Sequence, residues 1–201
     1  VNLIWENGAL KRTVLTTGIF AATLVAVLLF GEARVALAPN PTSYVDIAGI
    51  TPNMHVQDAA KASLGGSFPT SLEQFQRANP ARLQAAYNMV LDDLIASTRQ
   101  AANAGAKIVM WSETAATATP ESRPAVLARA AKVAQEEHIY LNVALGQPFA
   151  RNETYLIDPH GQVIWHYMKN HPVPLMEPVP PGHTPVPTVE TPYGRLANII
   201  C

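Results

Sequence analysis

Residues 107–115 read KIVMWSETA, a short apolar run followed by a serine and a carboxylate, Glu113. The run predicts a buried strand with Glu113 just past its end. Upstream, Asn79-Pro80 predicts a helix start, with Asn as the cap and Pro in the first position. Leu83, Tyr87, Val90, Leu91, Leu94 and Ile95 then recur at helical spacing as one apolar stripe, and Gly105 suits the C-terminal cap. Downstream, residues 123–137 predict a second helix and residues 139–145 (IYLNVAL) a strand. Residues 155–158 and 163–167 flank Pro159-His160-Gly161-Gln162 as a hairpin. Residues 44–50 predict a first strand, 51–70 a loop broken by Gly65, Gly66 and Pro69, and 196–200 a last strand leading into Cys201. Strand, helix, strand, helix, strand, hairpin, strand is the order of an α/β layered domain over residues 44–201.

The chain has 201 residues, of which 48% are hydrophobic, enough for one domain with a sizeable core. A formal charge of −1 supplies no basic field for nucleic acid. A single cysteine, Cys201, rules out an intrachain disulfide and leaves either an inert core thiol or a reactive one. The six histidines lack metal-ligand spacing such as H-E-x-x-H, so no metal or other cofactor is expected. Asn152-Glu153-Thr154 matches a glycosylation acceptor.

Residues 13–30 (TVLTTGIFAATLVAVLLF) carry no charge. Spanning the roughly 30 Å of hydrocarbon takes about 20 residues, with a range that begins near 17. After a loop over residues 1–12, a transmembrane helix is therefore expected within 13–33. Lys11 and Arg12 place its N-terminal side in the cytoplasm, so everything after Gly31 is expected on the extracytoplasmic side of the cell (inner) membrane. A cleaved signal peptide, with Ala36-Leu37-Ala38 as its cleavage site, and a buried helix of a soluble domain compete with this reading; Pro39 argues against cleavage. A start on Val1 and an end on Cys201, with no turn after it, read as a piece of a longer chain, truncated at its C-terminus.

Glu113, Lys169 and Cys201 each follow an apolar run, and reactive groups gather at strand ends in open α/β sheets. On residue types alone a turn carboxylate, a surface lysine and a core thiol are the usual readings. As a set they suit covalent acyl transfer: Cys201 as nucleophile, Glu113 as general base, Lys169 holding the oxyanion.

Three blocks, KIVMWSETA, IDPHGQVIWHYMKNHPVPLMEPVP and TPYGRLANIIC, resemble in order the signature blocks of the nitrilase (carbon–nitrogen hydrolase) superfamily. They resemble its W-P-E-[ST], Y-x-K-x-H-L-V-P-x-x-E-x-x-P and G-x-L-x-x-x-I-C patterns, with departures in the first two. The resemblance implies a four-layer α-β-β-α sandwich, incomplete here because the chain stops at the nucleophile. It implies the triad Glu113, Lys169 and Cys201, with Glu177 contacting the lysine and supporting the site. Ser112 stands where proline is usual, Pro172 where leucine is, and Leu175-Met176 where Phe-Gly often is. The upstream apolar segment and the W-x-E-T and V-P-x-x-E-x-x-P wording resemble the apolipoprotein N-acyltransferase branch. That branch implies transfer of an acyl chain from a phospholipid donor to a lipoprotein N-terminus. A membrane-tethered hydrolase of small amides and a catalytically inactive binding relative are the alternatives.

Overall fold

The structure, a computed structural model, describes residues 10–38, 43–174 and 176–200. It divides into two compact units, Val1–Tyr44 and Val45–Cys201. The expected loop over residues 1–12 lies outside the described residues except at its last three positions, where the backbone is already helical.

The first unit is one helix, α1 (Leu10–Ala36), longer at its C-terminal end than the expected segment. Within its stretch Thr13–Ala36 an 18-residue window reaches a mean hydropathy of 2.2, and none of that window is buried. Phe20, Leu28 and Phe30 stand on its open surface.

The second unit is built on one sheet. Its strands are β1 (Ile47–Ile50), β2 (Ile108–Trp111), β3 (Ala116–Thr117), β4 (Tyr140–Gln147), β5 (Arg151–Ile157) and β6 (Val163–Met168), in the order β1-β2-β4-β5-β6 with β3 beside β4. β1, β2 and β4 run parallel, and β4, β5 and β6 antiparallel. Between β1 and β2 come α2 (Met54–Ser63), α3 (Leu72–Arg77) and α4 (Pro80–Asn103); α5 (Arg123–Glu136) precedes β4.

α4 forms where its caps and stripe place it. The Asn79 side chain accepts from the Arg82 N–H at 3.1 Å, and Gly105 takes the left-handed conformation (φ 109°) that ends the helix. The stripe packs Leu91 and Leu94 on one face of the sheet, beside Val126 and Ala130 of α5 and over Val109, Leu141 and Val143. Trp111 of β2 is buried, and its indole N–H donates to Thr98 of α4 at 2.9 Å, which locks strand to helix. The α/β architecture is as expected.

Several boundaries differ from expectation: β5 begins at Arg151, not at residue 155, and β4 runs on to Gln147. The predicted loop over 51–70 contains helix α2, because the Asn53 side chain caps it (His55 N–H at 2.9 Å) and Ala60 buries fully; Gly65 (φ 96°) and Gly66 (φ 120°) end this helix. The first strand begins at Ile47, not at residue 44. The predicted strand over 196–200 is instead β8 (Gly194–Ala197), paired only with β7 (Thr188–Thr191) in a separate hairpin. Its strand character stops at Asn198, whose amide donates to Asn142 Oδ1 (3.2 Å) and Thr154 Oγ1 (3.1 Å) on the main sheet. Side-chain bonds thus replace the ladder there and pin residues 198–200 to β4 and β5.

Candidate active site

Glu113 is presented by a tight turn at the C-terminal end of β2. The Ser112 N–H donates to Ile50 O at 2.8 Å, and the Ala115 N–H closes the turn on Ser112 O at 2.9 Å. Thr114 takes φ 53°, a left-handed conformation uncommon for a β-branched residue. Room for this turn comes from Gly146 of β4, where a Cβ would stand 3.1 Å from Thr114 Cβ.

Lys169 directly follows β6 and is 2% exposed. Its ammonium donates to Glu113 Oε1 at 2.9 Å and to Glu177 Oε1 at 2.8 Å. The main chain holds it on both sides: its N–H donates to Asn152 O at 2.9 Å, and its carbonyl accepts from Gly182 N–H at 2.7 Å. Gly182 is obligatory in this packing, because a Cβ there would lie 2.4 Å from Met168 O. Glu177 is fixed in turn by the Val173 N–H, which donates to Oε2 at 2.7 Å.

Burial by itself would depress the lysine. The hydrogen bonds it donates to Glu177 and Glu113 outweigh that and hold the ammonium above the ordinary lysine range. The hydrogen bond from Lys169, seconded by the Val173 N–H, holds Glu177 below the usual carboxylate range. Lys169 therefore stays charged across the neutral range. Of its three donors, the two described contacts engage two.

Glu113, Lys169 and Glu177 thus come together. Cys201 lies outside the described residues. Two polar features escaped the sequence reading. Asn152 of β5 is buried, and its Nδ2 donates to Glu113 Oε1 at 2.6 Å. The acceptor pattern over residues 152–154 is therefore a buried strand segment, not a surface loop, and a glycan has no space on Asn152. The second feature is the Asn142–Thr154–Asn198 cluster, closed by a 2.7 Å bond from Thr154 Oγ1 to Asn142 Oδ1. Both carried one legible signal: amides and hydroxyls inside otherwise apolar strand runs. His171 is exposed and contributes no described contact to the cluster.

A cavity of about 340 Å³ opens on the cluster, with Glu177, Asn152, Tyr87, Phe68 and Phe149 in its wall. A second, of about 280 Å³, reaches Glu113 and shares Phe68 and Tyr87. A third, about 1080 Å³, lies between α3, α4 and the start of α5 and touches none of the three charged residues. The charged cluster locates the site, not cavity size.

The α/β architecture is that of the nitrilase fold, as its likeness to solved structures shows. An amidase of the nitrilase superfamily from Nesterenkonia sp. AN1 superimposes with a TM-score of 0.54 at 18% identity, covering 81% of this chain and 57% of its own. Another structure of an amidase from Nesterenkonia sp. gives 0.51 at 21% identity, over 57% of this chain and 50% of that one. The model of the carbon–nitrogen hydrolase family matches residues 75–201, and the chain belongs to that family. A formamidase from Bradyrhizobium diazoefficiens is 42% identical over 57 residues, 28% of this chain and 16% of the formamidase. The chain thus spans about half the length of these amidases and a small part of the formamidase.

Proposed function

We propose that the protein hydrolyses small amides through a thioester on Cys201. The observation that carries this reading is the buried Lys169, charged and shared between Glu113 and Glu177. Glu113 takes the Sγ proton, the thiolate attacks the amide carbonyl, and Lys169 holds the developing oxyanion. The C–N bond breaks as Glu113 returns the proton to the departing amine. Glu113 then deprotonates a water, which attacks the thioester; the acid leaves and the thiol is restored. A cavity of about 340 Å³ sits at the small end of the range for ligand sites and suits a short acyl group. The family and the formamidase similarity support hydrolysis ahead of N-acylation, which reverses the order expected from sequence.

One observation favours the second reading, acyl transfer from a phospholipid to a lipoprotein amine: the exposed apolar helix α1, which would hold the site at a bilayer. The full-length protein separates the two when given short amides and, in parallel, labelled phospholipid with a diacylglyceryl peptide. Ammonia release, an acyl mass on Cys201 and loss of both in Cys201→Ser are expected. Transfer to the peptide without ammonia release would select the second reading, and absence of any acyl mass on Cys201 would reject both.

A further inference from the structure

We propose that Asn152 is a positioning residue that holds the Glu113 carboxylate for proton transfer, an inference that rests on Glu113 being the general base. Asn152 is 4% exposed, and its Nδ2 lies 2.6 Å from Glu113 Oε1, the oxygen that also receives the Lys169 ammonium at 2.9 Å. Both donors converge on one oxygen, so the other stands without a described partner and is the one placed to take a proton. The Glu113 side chain is 40% exposed. Packing alone does not immobilise such a side chain, and the two donors restrict its rotamers.

The same residue reaches the lysine through its main chain, since Asn152 O accepts the Lys169 N–H at 2.9 Å. Asn152 thus sets base and oxyanion holder relative to each other. Its register partner on β4 is Gly146, the glycine that admits the Glu113–Thr114 turn. Asparagine is a poor strand former, and here its Oδ1 is buried with no described partner. A buried acceptor left unpaired is destabilising. A residue serving only packing would not be an amide at this position; the orientation of Glu113 explains one. An amide also suits the task chemically: it donates to a carboxylate without titrating, so it never competes for the proton.

The test measures ammonia release from a short aliphatic amide by the full-length protein across pH. Asn152→Ala is expected to lower kcat on the order of 100-fold, the scale of a misplaced catalytic group, with KM changed less than about threefold. Asn152→Asp, nearly isosteric, is expected to lose more at neutral pH, because it sets a second carboxylate against Glu113. Its kcat/KM optimum is expected to move to lower pH, where a shared proton restores the donor. Thermal melts verify folding, and Asn152→Asp carries the test should the alanine variant fail to fold. Folded variants that keep the wild-type kcat and pH profile, beside an inactive Glu113→Gln, would overturn the positioning role and leave the general base intact. Activity in Glu113→Gln would overturn the general base and this inference with it.

Discussion

At the scale of single residues, the site is an electrostatic balance around one buried ammonium. Removing its charge is expected to leave the cluster unable to hold an oxyanion. Lys169→Met should lower kcat/KM for an amide by about 100-fold or more, in line with loss of one oxyanion donor, read by ammonia release. The pH dependence of stability follows from the shifts. Glu177 titrates below its unfolded value, so its contribution is complete above about pH 4.3 and is lost as pH falls through the lower folded value. Glu153 behaves alike: burial raises it, but the hydrogen bond from His166 at 2.8 Å and its neighbouring cations prevail and hold it low. Lys169, raised, contributes fully below about pH 10.4 and loses its contribution only as pH climbs past its higher folded value. The thermal midpoint is therefore expected to fall on acidification below about pH 4.3. Glu177→Gln should blunt that fall, as followed by circular dichroism.

At the scale of elements, two local features hold the site up. α4 starts on Asn79, and Asn79→Ala should reduce stability by about 1 kcal/mol in urea titration, the ordinary loss of a helix cap. The loop after β6 depends on Gly182, which sits against Met168 O. Gly182→Ala must displace that loop and with it the N–H that holds the Lys169 carbonyl. Activity is expected to drop while far-ultraviolet dichroism stays native, because sheet and helices do not rest on this residue.

At the scale of the whole molecule, α1 and the α/β unit obey different physics. Residues 14–30 of α1 carry no charge and are exposed, and a helix segment of that kind needs a core or a bilayer. The full-length protein is expected to sediment with vesicles and to be released by detergent but not by high salt. A version starting at residue 39 should stay in the supernatant. Recovery of the full-length protein in the soluble fraction would rule out the membrane anchor.

Local patterns in the sequence determined the elements: the Asn79-Pro80 cap, the stripe from Leu83 to Leu94 and the apolar run before Glu113 depend on near neighbours, and backbone geometry makes such periodicities legible. Resemblance in three blocks singled out Glu113, Lys169 and Glu177. Residues 51–70 misled because glycines that stop a helix look like loop, and the buried face of α2 is defined only by packing against α4. Only tertiary structure decided that Lys169 is buried between two carboxylates, that Asn152 meets Glu113 and that Asn198 leaves its hairpin for Asn142 and Thr154. Apart from Lys169–Glu177, eight positions apart, these contacts join stretches 39 to 56 residues apart, and no periodicity in the chain encodes which distant partner a polar side chain finds once burial denies it water.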